Sequence, residues 1–181
     1  MRAVLDACVL YPTVLREILL GVAARGVYEP MWSERILREW TRATDKIGPG
    51  AMAQAEGEAL VVKASFPRAS VREQPNIEAR VSLPDPNDEH VLAVAVASHA
   101  DAIVTFNAKD FPRPVLAEFG IERRDPDGFL WELWSHAPRD VEAVVTSVHA
   151  TAERMLGEQI PLRKLLKKAQ LPKLAKALAA E

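Results

Sequence analysis

The 181-residue sequence contains a single cysteine, Cys8. One thiol closes no intrachain disulfide and builds no cysteine-based zinc site, so neither device holds this chain together. Long apolar runs are also absent. The longest, Val91 to Ala97, is seven residues, against the roughly 20 that span a bilayer. The opening Met1-Arg2-Ala3-Val4-Leu5-Asp6 reaches an acid before any apolar h-region, which argues against a secretory signal. A reducing cytoplasm and no membrane association are therefore expected. Glycine-rich phosphate fingerprints are missing too. Asp6-Ala7-Cys8-Val9-Leu10-Tyr11-Pro12, after the first apolar run, is neither a dinucleotide loop nor a P-loop. No internal repeat is evident.

What is present is a globular composition with uneven charge. Hydrophobic residues make up 49% of the chain, enough for a core, and the net charge is only −2. The balance hides an asymmetry: residues 154–181 carry seven Lys and Arg against two acids, so the remaining 153 residues are net acidic. A basic tail on an acidic body is either an interaction segment or a solvated helix face.

The pattern predicts alternating strands and helices over the first 135 residues. Arg2 to Leu5 reads as a strand, Val14 to Ala24 as a helix with Thr13 as its cap, and Tyr28 to Trp32 as a second strand. Ser33 caps a helix to about Thr44, Gly48-Pro49-Gly50 is a break, and Ala51 to Lys63 is helical. Pro67 to Pro84 reads as loop with one strand near Ala69 to Arg72. Asp85 caps the next helix, with Pro86 at its first position and an apolar stretch through Val91 to His99. Ala102 to Phe106 is a buried strand of parallel-sheet type. A short helix from Pro114 to Phe119, an edge strand at Ile121 to Arg123 and a helix from Gly128 to Trp134 follow. Beyond Pro138 lie an amphipathic helix, Val141 to Leu156, and basic helices from Pro161 to Ala180 interrupted at Pro172. The expected fold class is α/β with a mainly parallel central sheet, divided into residues 1–135 and a helical extension over 136–181.

Ligands of open parallel sheets bind beyond the carboxyl ends of the strands. Asp6 ends the first strand, and Thr105, Asn107 and Asp110 lie at or past the end of the strand through Ile103. Asp88 opens the preceding helix, and Glu39 lies on the edge of the Ile36/Leu37/Trp40 face of its own. If those two strands are neighbours, the oxygens converge, and oxygen donors without His or Cys suit Mg²⁺ or Mn²⁺. Each residue also has an ordinary role open to it. Asp88 can close a capping box with Asp85, and Glu39 can pair with Arg35 or Arg42 at helical spacing. Asp110 can be a solvated loop acid, Asn107 a turn residue, His90 a core histidine and Cys8 a small buried filler.

The ordered set decides between these readings. VLDACVLYP with Asp6, SERILREW with Glu39, PDPNDEHVLAVAVA with Asp88, and ADAIVTFNAKDFP with Thr105, Asn107 and Asp110 together resemble the PIN domain, the nuclease fold of VapC toxins in bacterial toxin–antitoxin pairs. The resemblance covers about residues 1–135 and implies a three-layer α/β/α PIN-like fold. The helical extension resembles one found in a subgroup of these toxins. It implies a Mg²⁺- or Mn²⁺-dependent endoribonuclease hydrolysing RNA phosphodiesters, with Asp6, Glu39 and Asp88 as metal ligands and Asn107 as the fourth catalytic position. Thr105 and Asp110 would support them. Where the family often has Asp, this chain has Asn107, which brings no charge; where it often has Asn, this chain has Cys8, a poorer hydrogen-bonding group. The resemblance further implies a structured RNA target such as transfer RNA, a cognate antitoxin and a homodimer. Lys109, Arg113, Arg38 and Arg42 are candidate RNA contacts, as is the tail from Arg163 to Lys176.

Other readings fare worse. A haloacid-dehalogenase-like phosphatase needs a second acid two positions after the strand-end Asp, where Cys8 stands. A phospho-accepting receiver needs an acidic pair before such an Asp, and none is found. The rival from another class is a non-catalytic PIN-like module that binds RNA or protein, and Asn107 is its main support.

Overall fold

The computed structural model describes residues 1–178. β1 (Arg2–Leu5) leads through α1 (Ala7–Leu10) into α2 (Thr13–Ala24). β2 (Glu29–Ser33) is followed by α3 (Glu34–Ala43) and α4 (Ala51–Ser65), and β3 (Ser70–Val71) by α5 (Pro75–Glu78) and α6 (Glu89–Ala97). β4 (Ala102–Val104), α7 (Arg113–Ala117) and β5 (Glu122–Arg124) come next. Helices α8 (Pro126–His136), α9 (Pro138–Leu156), α10 (Leu162–Lys168) and α11 (Pro172–Leu178) complete the described chain. The expected α/β fold with a C-terminal helical region is present. Its sheet is parallel throughout, in the order β3-β2-β1-β4-β5.

The described chain forms two compact units that are not consecutive in sequence. The first, residues 1–11 and 29–124, holds the whole sheet with α1 and α3 to α7. β1 lies at its centre because Ala3, Val4 and Leu5 are apolar and fully buried, as a strand covered on both faces requires. α6 packs against β1, β2 and β4, and His90 to Ala95 are buried around its whole circumference. α3 starts where the sequence predicts. Ser33 Oγ accepts a hydrogen bond from Ile36 N at 3.2 Å, and Glu34 sits in the positively polarised first turn.

The second unit, residues 12–28 and 125–178 among those described, is helical: α2 packs on α9, and α8 on both α9 and α11. Gly21 lets α2 and α9 approach closely, since a Cβ there would lie 2.6 Å from Val144 Cγ1.

Several boundaries differ from the sequence pattern for local reasons. Asp85 caps a 3-10 turn over Pro86–Asp88, accepting from Asn87 N at 2.9 Å, and the α-helix proper starts only at Glu89. The strand predicted to reach Phe106 ends at Val104. Beyond it, Phe106 N donates to Cys8 Sγ and Asn107 N to Thr105 Oγ1, so these backbone donors leave the sheet for side chains. The stretch predicted as loop before Pro84 also contains α5. In the tail the helix break falls at residues 169–171 and Pro172 opens α11; the predicted continuation to Ala180 lies outside the described residues.

Candidate active site

The strand order makes one place on the sheet special. From β1 the chain moves outward to β2 and β3 on one side, and later to β4 and β5 on the other. The crevice beyond the carboxyl ends of β1 and β4 is therefore the topological switch point, where open parallel sheets bind ligands. Leu5 pairs with Val104, so the next residues, Asp6 and Thr105, emerge side by side.

Asp6 is almost wholly buried and is held by two donors on one oxygen. Thr105 Oγ1 donates to Asp6 Oδ2 at 2.7 Å and Cys8 Sγ at 3.1 Å. Thr105 Oγ1 also accepts from Asn107 N at 2.9 Å, and Cys8 Sγ accepts from Phe106 N at 3.3 Å. Each of these two side chains thus passes a backbone N–H on to the carboxylate. Burial, and secondarily the Asp6 charge, push the Cys8 thiol up to about 12, so it stays protonated and remains a donor. The sequence suggests Cys8 as a filler or a poor substitute for a family Asn; in the structure it is an Asp6 ligand.

The second cluster is acidic and half-buried. One carboxylate oxygen from each of Asp85, Asp88 and Asp110 lies within 4.8 Å of the others. Asp88 Oδ2 accepts a hydrogen bond from Asn107 Nδ2 at 3.0 Å. Burial raises the Asp88 pKa to about 6, and the charges of Asp6, Asp85 and Asp110 push it the same way, against a lowering influence of His90. Asp6 lies outside the tightest trio, yet its charge is felt at Asp88, so four acids share one electrostatic environment. The loop bearing Asn107 and Asp110 is pinned from β5, where Arg123 donates to the carbonyls of Ala108 at 2.7 Å and Phe111 at 3.1 Å.

Glu39 stands apart from this trio. Its Oε1 receives Arg35 Nε at 3.3 Å, the i,i+4 pair open to it from the sequence, and Arg35 also binds Glu78 at 3.0 Å. His90 Nε2 lies 2.9 Å from Glu39 Oε1, but without the alignment of a hydrogen bond, and His90 Nδ1 has no partner among the described residues. Among the candidate RNA contacts, Arg38 is engaged by Glu73 at 3.0 Å, whereas Arg42, Lys109 and Arg113 are exposed. Lys109 and Arg113 bracket Asp110 in sequence, on the loop and at the first residue of α7.

Two contributors escape a sequence reading. Asp85 looks fully accounted for as a helix cap, and Arg123 lies on an edge strand where a cation reads as solvent-facing. An acid repeated three residues apart across a proline, Asp85-Pro86-Asn87-Asp88, was the signal available for the first. Nothing local marks the second.

The donor set suits a hard divalent cation: carboxylate and amide oxygens, with mutual repulsion that raises Asp88 and that a cation would relieve. Comparison with known proteins agrees with the fold. Residues 2–109 match the PIN domain family. Over an alignment of 85 positions, which takes in 41% of this chain, the sequence is 34% identical to a Mycobacterium tuberculosis (strain ATCC 25618 / H37Rv) protein named "Putative ribonuclease VapC50". The matched stretch spans about half, 50%, of that relative's length. No solved structure matches the chain.

Proposed function

The chain belongs to the PIN domain family, and from that premise we propose that it is a divalent-metal-dependent endoribonuclease, the toxin of a type II toxin–antitoxin pair. The observation that carries this reading is the meeting of Asp6 with Asp85, Asp88 and Asp110 at the switch point of the sheet. A relative named as a ribonuclease supports it. In this reading residues 1–135 are the nuclease and 136–181 an accessory helical segment.

Hydrolysis of a phosphodiester brings a nucleophile up to an anion, so the site must offset negative charge. Asp6, Asp88 and Glu39 are the residues that would hold Mg²⁺ or Mn²⁺, with Asp110, Asp85 and the Asn107 carbonyl as further oxygen donors. The bound cation supplies charge neutralisation and lowers the pKa of water. The chain's own residues do the positioning. Thr105 and Cys8 fix Asp6 by two hydrogen bonds to one oxygen, and the Asn107 amide fixes Asp88. Arg35 orients Glu39. Arg123 holds the loop so that Asn107 and Asp110 stay at the crevice. Such preorganisation keeps reacting groups within a fraction of an ångström of their working positions.

RNA, with transfer RNA among the candidates, would be held beside the site by Lys109, Arg113, Arg42 and Arg38. An antitoxin would cover the same crevice, and a homodimer in the cytoplasm completes the reading. No helix among the described residues is long and apolar enough to cross a membrane.

The test is cleavage of transfer RNA and total RNA by the purified chain, with Mg²⁺, with Mn²⁺ and with excess EDTA, alongside calorimetric titration of Mn²⁺. Divalent-dependent cleavage is expected. Asn107, which gives Asp88 a neutral amide instead of a further charge, favours the rival reading of a non-catalytic RNA- or protein-binding module. RNA that is bound but left intact in the presence of Mn²⁺ would establish that rival.

A further inference from the structure

Helices α10 and α11 hold a separate charge feature. From Gln159 to Ala180 the sequence contains no acid and six cations. The two helices bury one face: Leu165, Leu166, Leu171, Leu174 and Ala175 are each at most 6% exposed. Their other face carries Arg163, Lys164, Lys167, Lys168 and Lys176, all exposed. Among the described residues no carboxylate lies within ion-pairing distance of any of these five. Lys173 is different, since its Nζ stacks 3.7 Å over the Trp131 ring. The pair is also anchored by its backbone: Asp127 on α8 accepts from Lys173 N at 2.8 Å and from Leu174 N at 3.0 Å, capping α11.

We propose that the exposed cationic face of α10 and α11 is a phosphate-binding platform for RNA, engaging the phosphodiester backbone without reading bases. Charge complementarity selects a polyanion: unpaired cations on anchored helices lose little freedom on meeting one, and the released counterions drive association. A membrane surface fits less well, because an interfacial helix needs a free apolar face and here that face is buried. The choice of RNA among polyanions rests on the nuclease reading.

The experiment uses the full chain and a fluorescein-labelled 2′-O-methyl RNA hairpin, which cannot be cleaved, in EDTA. Fluorescence anisotropy gives the dissociation constant across a KCl series. Wild-type binding should weaken steeply with salt. Arg163→Gln/Lys164→Gln/Lys167→Gln/Lys168→Gln should weaken binding about tenfold or more at low salt and cut the log–log salt slope by about 3, at roughly 0.7–0.9 per lost phosphate contact. Circular dichroism checks its folding; Lys167→Gln/Lys176→Gln, a smaller change, should show a proportionate loss. Lys164→Arg/Lys167→Arg/Lys168→Arg should bind as wild type. An unchanged slope in the glutamine variants overturns the proposal. So does equal or tighter binding to polyglutamate, or to phosphatidylserine vesicles at matched charge, which would reassign the face to an acidic protein or a membrane. A wild-type chain that never cuts natural RNA but binds the hairpin with a steep slope, which the glutamine variants lose, refutes the nuclease reading and supports the platform. One that cuts RNA while the glutamine variants bind unchanged refutes the platform alone.

Discussion

The two halves of the candidate site are built on opposite principles. At Asp6 the protein surrounds a buried carboxylate with donors: Thr105 and Cys8 both bond to Oδ2, and each relays a backbone N–H. At Asp88 it surrounds a half-buried carboxylate with other carboxylates and offers one amide, from Asn107. The first corner has one carboxylate oxygen held by two donors. The second sits half-buried among like charges: burial first, and then the charges of Asp6, Asp85 and Asp110, raise its pKa to about 6. A protein that only needed a stable sheet edge would have no reason to build the second corner; one that holds a cation there gains its affinity from it.

Single substitutions should separate the corners most sharply. Asp6→Asn and Asp88→Asn should each reduce metal-dependent RNA cleavage by about 10²-fold or more, as expected for loss of a charge that acts in the transition state. Metal-free stability should respond in opposite directions to Asp6→Ala and Asp88→Asn. Asp6→Ala leaves the buried Thr105 Oγ1 and the half-buried Cys8 Sγ without their acceptor, at a cost of about 1–3 kcal/mol. Asp88→Asn removes repulsion and should raise the melting temperature at pH 8. Thermal melts in EDTA decide this, and a fall for both variants would mean that the acidic corner is not under charge strain.

Thr105→Val tests the donor network alone. It keeps the shape, removes the bond to Asp6 and leaves Asn107 N without its acceptor. The expected loss is about 1–3 kcal/mol in chemical denaturation, with weaker cleavage because the 105–107 turn no longer presents Asn107 to Asp88. Unaltered stability would show that solvent replaces the hydroxyl.

Asn107→Asp exchanges one principle for the other. It adds an acid at the strained corner and removes the amide that binds Asp88. In EDTA the variant should melt lower at pH 8 than wild type. With Mn²⁺ it should bind several-fold more tightly by calorimetry, since an extra carboxylate strengthens a hard-cation site. A tighter site with no change in EDTA would place residue 107 near the cation but away from Asp88.

The parts of this site that could be read from the sequence are those with a one-dimensional signature. Asp6 and Thr105 directly follow apolar runs, and parallel pairing with Leu5 opposite Val104 does the rest. Asp88 and Asn107 lie at a helix start and past a strand end, where chain reversals collect polar groups. Asp85 was hidden because a capping residue before proline already has a sufficient local cause. Glu39 shows the converse: its helical spacing from Arg35 suggested a surface pair, and that pair forms, but the buried His90 against the same oxygen lies 51 residues further along the chain, on another helix. The extent of β4 was over-read because β-branched and aromatic residues continue past Val104, whereas Cys8 and Thr105 capture the backbone donors. Long-range capture of this kind leaves no periodicity behind.

The smallest effect is also the most direct reading of the comparison. An aspartate whose folded-state pKa is raised to about 6 binds more protons in the folded than in the unfolded chain between its ordinary value near 4 and 6. Stability of the metal-free protein should therefore fall as pH rises through that window and level off above it; below it the penalty is absent because the carboxyl is protonated in both states. Melting temperatures in EDTA from pH 4 to pH 8 should show this decline. Asp88→Asn should flatten it, and saturating Mg²⁺ should reverse it, because proton and cation compete for the same oxygens. A decline that persists in Asp88→Asn would move the responsible charge elsewhere, and the contrast between a donor-rich and a donor-poor carboxylate would lose its physical basis.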